Sequence, residues 1–369
     1  MSPGLEIQAV AVVTAVAAAL PGTYLVLRRR ALVSDAISHA LLPGIVIAFL
    51  LTGDLGSPLL VVAAAATGVV AVALIEALSR TGLVREDAAI GLVFPVLFSL
   101  GVLLISRYAA GVHLDTDAVL LGHLEFAYLD RFGVGGRDLG PQGLWVMGSI
   151  LMLNVGLIAV AYKELKLATV DAALAAALGF TPALLHYGLM TAVSITAVGA
   201  FGAVGSILVV ALMIVPPATA YLLAKRLGAM LWLSAATAVL GAVCGYWLAV
   251  ALDASIAGSM AVALGGLFVL TFVFAPGTGL LAQTRRRARQ RLDFSLRMLL
   301  VHLAHHQEAN DAAEETDVDR LHLHLRWSPS FVRHVVKAAA EDDLVERRGR
   351  LLVLTAEGRR LAETSVVEG

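Results

Sequence analysis

Between Leu5 and Ala275 the chain is a succession of long apolar stretches separated by short polar breaks. Windows of roughly 20 apolar residues, the length that crosses a hydrocarbon core, fall at residues 5–27, 32–52, 57–79, 88–106, 143–162, 184–202, 205–224, 230–251 and 256–275. The pattern predicts about nine transmembrane helices, and eight if the tightly joined pair around Phe201 to Gly205 contains a re-entrant piece. From Leu292 the pattern changes to short amphipathic segments. Asp293 to His305 reads as a helix, Glu308 to Glu315 as an acidic connector, Val318 to Leu325 as a second helix and Ser328 to Glu341 as a third. Leu344 to Leu354 looks like a hairpin turning at Gly349, and a last helix begins at Thr355. Three helices and a hairpin make a winged helix-turn-helix. The expected fold is therefore an all-α polytopic membrane protein carrying a small α+β winged-helix domain. The expected division is a transmembrane domain over 1–280, a basic juxtamembrane linker over 281–291 and the winged-helix domain over 292–369.

Composition agrees with the pattern: the 369 residues are 59% hydrophobic and 15% charged, too apolar for a soluble domain of this size. The net charge of -1 is uninformative as a total, because the charged residues crowd into the last quarter of the chain. Placement matters more. Arg28 to Arg30, Arg80, Arg85, Lys163, Lys166, Lys225, Arg226 and Arg285 to Arg291 flank spans on what should be one side, the cytoplasmic one. Nine spans with an external N-terminus satisfy every cluster. The loop from Arg107 to Gln142 is then external and acidic, and the tail internal. The N-terminus lacks the basic start of a signal peptide, so the first apolar run is expected to stay as a span. The single cysteine, Cys244, allows no disulfide or thiolate site within one chain and reads as a small core residue.

Two polar groups interrupt the second span. Asp35 and His39 are four residues apart, so a helix stacks both on one face at the edge of a hydrocarbon layer. One reading is structural: Ser34 or Asp35 caps the helix and His39 bonds a neighbour. The other is a metal path, which needs more ligands than one carboxylate and one imidazole, since Zn²⁺ takes about four. A second copy across a two-fold axis would supply them. Pro43 cannot donate to the carbonyl of His39, and Pro216 and Pro217 similarly free the carbonyls of Leu212 and Met213. Interrupted spans of this kind line cavities or are simple kinks.

Leu32-Val-Ser-Asp-Ala-Ile-Ser-His-Ala-Leu-Leu-Pro-Gly44 resembles the signature of the transmembrane permease of bacterial zinc, manganese and iron uptake ATP-binding cassette transporters. Thr116 to Gly122, Lys163 to Leu167, Leu184 to Tyr187 and Ala203 to Ala220 agree with it, so the resemblance covers about residues 5 to 280. It implies a type II importer-like permease that dimerises with itself or a paired permease. It further implies two cytoplasmic ATPase subunits and an extracytoplasmic metal-binding solute-binding protein as partners. By that resemblance Asp35 and His39 coordinate the transiting Mn²⁺, Zn²⁺ or Fe²⁺; Ser38 and the prolines Pro43, Pro216 and Pro217 are expected along the path, and no cofactor is expected to be held permanently. Ser34 stands where a glycine is common.

Between the fifth and sixth spans, Lys163 to Pro182 is Ala-rich and ends in Gly179 and Pro182, which favours a short helix with a defined stop. Its place resembles the coupling helix that such permeases insert into the ATPase, with Asp171, Ala175 and Gly179 at matching positions; the alternative is an ordinary connector. The chain has no Gly-x-x-x-x-Gly-Lys-Ser/Thr loop, so it is not expected to hydrolyse ATP itself. Weaker metal candidates are His113, Asp115, Asp117, His123 and Glu125 in the external loop, which reads more simply as a docking surface or solvated loop. His186, Glu76 and Asp253 are expected near span ends and are assigned no chemistry.

The tail, including Leu354-Thr-Ala-Glu-Gly-Arg-Arg-Leu-Ala362, resembles the DNA-binding module of iron- and manganese-responsive repressors, with Asp343 where a glycine often precedes the hairpin. Arg333, His334 and Lys337 on the third helix, and Arg347, Arg348 and Arg350 in the wing, are placed to contact DNA. Glu341, Asp342 and Asp343 offset them. Three uses stay open: DNA binding, a regulatory contact with the ATPase or a partner, and a degenerate remnant. His305, His306 and Glu308 are either a metal sensor or a solvated helix end. Two rival functions stand beside the importer: an ATP-independent secondary transporter, and a membrane-anchored metal-responsive transcription regulator.

Overall fold

The computed structural model describes residues 2–53, 57–108, 122, 124–134, 137–306 and 315–367. His113, Asp115, Asp117, His123 and Glu308 lie outside the described residues. The chain forms two compact units, Met1–Gly279 and Leu280–Gly369.

In the first unit, α1 spans Pro3–Leu27, α2 Ala31–Ala40, α3 Leu42–Thr52, α4 Pro58–Arg80 and α5 Glu86–Tyr108. The hairpin of β1 (Arg131–Val134) and β2 (Arg137–Pro141) leads into α6 (Gln142–Val160). Two short helices follow, α7 (Tyr162–Val170) and α8 (Ala172–Ala177), and then the long helices α9 (Pro182–Leu223), α10 (Leu227–Leu252) and α11 (Ile256–Phe274). Helix starts follow local chemistry. Pro58 and Pro182 occupy first-turn positions, where the missing N–H costs nothing, and Ser57 and Ser255 accept from the backbone N–H groups of Leu59 and Gly258.

Among the described residues, eight helical stretches are long and apolar enough to cross a membrane: α1, α2 with α3, α4, α5, α6, α9, α10 and α11. Two of the expected windows, 184–202 and 205–224, are joined in α9. Its 42 residues would make a rod of about 63 Å, twice a hydrocarbon core. Gly205 breaks the rod with φ 73° and ψ 166°, a conformation open to glycine. Both ends of α9 lie beside Leu27: Pro182 and His186 share one cavity with it, Tyr221 and Ala224 another. The chain therefore turns back at Gly205, and the turn rests on Gly122, where an added methyl would meet the Gly205 nitrogen at 2.4 Å.

The bundle has two distinct ends. At one, Arg131 ties the hairpin to the start of α1 through Glu6 (3.0 Å) and also pairs with Asp138, while the Glu125 carboxylate accepts from the backbone N–H of Ile256. At the other lie the last turn of α1, the start of α2, the end of α4, and both ends of α9. The core between is lined by alanine and small residues on α1, α9 and α10, which lets backbones approach closely. Buried polar groups bond across helices: the Asn154 amide donates to the Ala17 carbonyl and to Thr196 Oγ1, both at 2.9 Å, and Thr23 Oγ1 donates to Ser234 Oγ at 3.1 Å. Cys244 is exposed on the flank of α10 rather than in the core, since the apolar lipid-facing surface admits a thiol as readily as the interior.

In the second unit, α12 runs unbroken over Leu280–His306, so the basic run 281–291 forms its first turns. α13 is only Leu321–His324, shorter than the expected 318–325, and α14 spans Pro329–Glu341 with Ser328 as its cap. β3 (Val345–Arg348) and β4 (Leu351–Leu354) pair antiparallel around Gly349, and α15 covers Ala356–Val367. Asp343 has φ 55°, which explains a preference for glycine there; aspartate is among the few other residues that adopt it at modest cost. Leu299, Leu300, Leu303, Leu321, Val335 and Leu352 form a separate core.

Candidate functional site

Helix α2 buries Val33, Ser34, Ala36, Ile37, Ser38 and Ala40 and turns Asp35 and His39 outward. The imidazole Nε2 lies 3.5 Å from the carboxylate Oδ1, as the four-residue spacing requires. The two side chains are 45% and 35% exposed in the single chain. That exposure decides their meaning: ionisable groups on the flank of a membrane helix must meet water or a partner surface. His39 rests on α5, its ring 5.9 Å from Phe94 and edge-on to Phe98 at 6.4 Å. Among the described residues the pair supplies two donors, half of a tetrahedral set.

The other residues expected along a path divide. Ser38 is next to the pair in sequence, but its hydroxyl donates to the Ser34 carbonyl of its own helix at 2.9 Å. Pro43 is buried in the first turn of α3, just past the interruption of the helix at Leu41. Pro216 and Pro217 are buried against α1 and α10: the Pro216 carbonyl accepts from Thr237 Oγ1 at 3.3 Å, and the Met213 carbonyl freed by Pro217 faces Gly22. Their surroundings are helix packing.

A charged network absent from the sequence reading ties that face to the end of the bundle. Arg28 and Arg30 approach the two ring nitrogens of His186 at 3.4 and 3.2 Å. Glu76 pairs with Arg80 at 3.0 Å and accepts from the Tyr187 hydroxyl at 2.7 Å, while Arg30, the residue before α2, bonds Glu86 at 3.0 Å. Arg28, Arg30, Glu76, Arg80, His186 and Tyr187 line a cavity of about 450 Å³ together with Thr169 and Ala172 of α7 and α8. The sequence signal was the presence of ionisable groups in the terminal turns of several spans. Which of them meet is a matter of helix rotation.

The expected short helix after the fifth span is divided at Asp171. There α7 ends and the Asp171 carboxylate caps α8, accepting from Leu174 N–H at 2.9 Å. Ala175 is buried. Gly179, at φ 88°, closes the helix by donating to the Ala176 carbonyl, while Phe180 donates to Ala175, the paired bonds of a Schellman stop. Around this turn Val170, Leu174 and Leu178 present apolar side chains to the outside, 83%, 47% and 61% exposed. Arg28 Nε donates to Thr169 at 3.3 Å, so α7 is bonded directly to the segment that starts α2.

In the second unit Arg333, His334 and Lys337 are exposed along α14. Two of the basic groups expected to meet DNA are already paired: Lys337 with Glu341 at 3.6 Å and Arg348 with Glu346 at 3.0 Å.

The architecture is that of a multi-pass membrane permease, a transport subunit rather than an enzyme. The chain belongs to the ABC 3 transport family, whose model matches residues 5–275. It is 46% identical over 359 residues to the zinc transport system membrane protein TroD of Treponema pallidum, covering 97% of this chain and 98% of that one. It is also 46% identical over 278 residues to the manganese transport system membrane protein MntD of Bacillus subtilis, covering 75% of this chain and 94% of that one. Among solved structures, PsaBC from Streptococcus pneumoniae in complex with Fab matches with a TM-score of 0.65 at 27% identity, over 77% of this chain and 96% of that one.

Proposed function

We propose that this chain is the membrane-spanning permease of an ATP-binding cassette importer for divalent transition metal ions, zinc or manganese as in the relatives' names. Iron rests on the sequence resemblance alone. The observation that carries the reading is the outward-facing Asp35–His39 pair within a span. A two-fold copy, or a paired permease, brings a second Asp and His and completes a four-donor site. Ser38 and Pro43 flank the ion's route; Pro216 and Pro217 shape the helix wall behind it.

The two arms of α9 count as two crossings, nine in all, with the N-terminus outside and the arginine-rich end of the bundle in the cytoplasm. The tail is then cytoplasmic, and the protein sits in a bacterial inner membrane surrounded by lipid. The exposed Val170, Leu174 and Leu178 around α8 form the apolar surface that an ATPase subunit covers, with Asp171, Ala175 and Gly179 fixing its shape. Movement of α8 is passed through Thr169 and Arg28 to the start of α2, and so to the metal pair. An extracytoplasmic solute-binding protein delivers the ion at the opposite end.

The test is ATP-dependent metal uptake in vesicles with the cognate ATPase, comparing wild type with Asp35→Ala and His39→Ala. Both variants should lose uptake while still assembling with the ATPase. Wild-type uptake in both removes the pair from the path, and uptake without ATPase favours a secondary transporter.

A second reading concerns the tail. Its order of helix, short helix, capped helix, hairpin and helix supports a winged-helix domain resembling metal-dependent repressors. Arg333, His334, Lys337 and Arg348 would be its DNA contacts, and a gel shift on the operon's own promoter with and without Mn²⁺ or Zn²⁺ tests that use. The internal pairs to Glu341 and Glu346 favour a regulatory protein contact instead.

A further inference from the structure

The last turn of α12 carries His302 and His306, four residues apart on one helical face, with ring centroids 4.8 Å from each other. Leu299, Leu300 and Leu303 are buried in the core of the second unit, which fixes the rotation of α12 and therefore the direction of that face. Glu315 meets it from another part of the chain. Its carboxylate lies 3.5 Å from His302 Nε2, and its backbone carbonyl 3.1 Å from the same nitrogen. The position of Glu315 is held by its neighbours: Leu352 N–H donates to the Thr316 carbonyl at 3.1 Å, and Asp317 bridges to Leu351 of β4. His324, the last residue of α13, brings Nδ1 to 2.9 Å from the same Glu315 oxygen.

Donor atoms of His302, His306 and Glu315 all lie within 4.8 Å of one another. Donors around a tetrahedral Zn²⁺ bonded at about 2.0–2.1 Å sit about 3.3–3.5 Å apart, so modest side-chain rotation closes the set. Three imidazoles and one carboxylate form a borderline donor set that suits Zn²⁺ and Co²⁺ and is poor for the oxygen-seeking Mg²⁺ and Ca²⁺. The side chains of His302, Glu315 and His324 are 14%, 19% and 25% exposed, open enough for an ion to enter and sheltered enough to hold it.

We propose that His302, His306 and Glu315, with His324 as fourth donor, form a divalent transition-metal site of the zinc type in the C-terminal unit. The ion replaces the contacts of His302 Nε2 with the Glu315 carbonyl and carboxylate and clamps the end of α12 to the 315–324 segment. Its consequence rests on the importer reading: a site on the cytoplasmic tail of a metal importer is loaded by the imported ion and slows further uptake.

The experiment uses the full-length chain, purified in detergent with Asp35→Ala and His39→Ala so that the transport pair binds nothing, and titrated with Co²⁺. One equivalent should bind with the intense visible absorption of a tetrahedral complex, displaced by Zn²⁺. Adding His302→Ala with His306→Ala should abolish it, and His302→Gln or Glu315→Gln should weaken binding at least tenfold. His322→Ala, whose ring bonds the Asp319 carbonyl outside the cluster, should leave it intact and controls for folding. An unchanged absorption in the double histidine variant, or none in the parent, overturns the site; the cluster is then only hydrogen-bonded histidines. In vesicles with the transport pair intact, Zn²⁺ on the tail side should lower uptake several-fold, and His302→Ala with His306→Ala should relieve it. Co²⁺ binding with zinc-insensitive uptake overturns the regulatory consequence alone. No uptake in any chain counts against the importer reading and leaves the Co²⁺ result standing.

Discussion

The carbonyl oxygen of Met213 faces Gly22 so closely that a methyl group added to Gly22 would lie 2.0 Å from it. Pro217 removes the N–H that would otherwise satisfy that carbonyl within its helix. Proline on one helix and glycine on the other thus cooperate: the freed oxygen is covered by a backbone that has no side chain to keep it away, in the close packing typical of membrane helices.

Gly22→Ala should therefore overpack the contact between α1 and α9, because the obstacle is backbone and cannot rotate aside. A loss of about 1–3 kcal/mol is expected. Thermal unfolding in detergent, compared with Gly148→Ala at a position with open space, measures it.

Asp35→Asn keeps the shape of the side chain and removes its charge. If the pair holds the ion, uptake at limiting metal should fall by more than the roughly 10–100-fold that loss of an outer-shell partner costs. The permease should still unfold near the wild-type temperature, because the carboxylate is nearly half exposed and, among the described residues, its partner is the half-exposed His39. Normal uptake would remove Asp35 from the path.

Glu76→Gln should damage both stability and transport. It leaves Arg80 without its carboxylate and weakens the acceptor of Tyr187, at a site shared with Arg28, Arg30 and His186. Lost hydrogen bonds to a charged group cost on the order of 1.5–3 kcal/mol. Unfolding temperature and uptake, measured together, check it.

Leu178→Glu places a charge on the exposed turn after α8, whereas Asp171→Ala removes the cap at its start, worth about 1 kcal/mol. The first should weaken co-purification with the ATPase while the isolated permease unfolds normally; the second should loosen the turn itself. Undiminished ATPase binding by Leu178→Glu would take this surface out of the interface.

The hairpin of β1 and β2 should be sensitive to acid. The Gly140 backbone N–H, and then Arg131, hold the Asp138 carboxyl below the usual carboxylate range. A depressed carboxyl contributes stability above its unfolded pKa, about 3.9, and loses that contribution as pH falls through its folded value. Hydrogen-exchange protection at residues 131–134 and 138–140, taken relative to the unstructured rate at each pH, should persist at pH 5 and fall below about pH 4. Arg131→Gln, which also frees Glu6, should quicken exchange even at pH 7.

Much of the first unit follows from local pattern. Apolar length names the spans, and a helical repeat of 3.6 residues places Asp35 beside His39 whatever surrounds them. Gly179 and Asp171 likewise act on their own turn, so a short helix with a defined stop is legible in this segment, although its break at Asp171 is not. Joining the windows at 184–202 and 205–224 into one folded-back helix depends on a single glycine conformation that hydropathy does not register.

Residue chemistry and spacing along the chain thus determine that this is a multi-pass membrane protein and that one span carries a metal-competent pair, and its motifs point to the permease family whose model matches residues 5–275. Tertiary structure alone decides how helices are rotated against each other. Rotation gathers Arg28 and Arg30 of the α1–α2 linker, Glu76 and Arg80 of α4 and His186 of α9 into one network, and sets the freed Met213 carbonyl on Gly22. It also turns His302 toward Glu315 and His324. Contacts between residues distant along the chain depend on the packing of whole faces, a collective property that no local window of sequence contains.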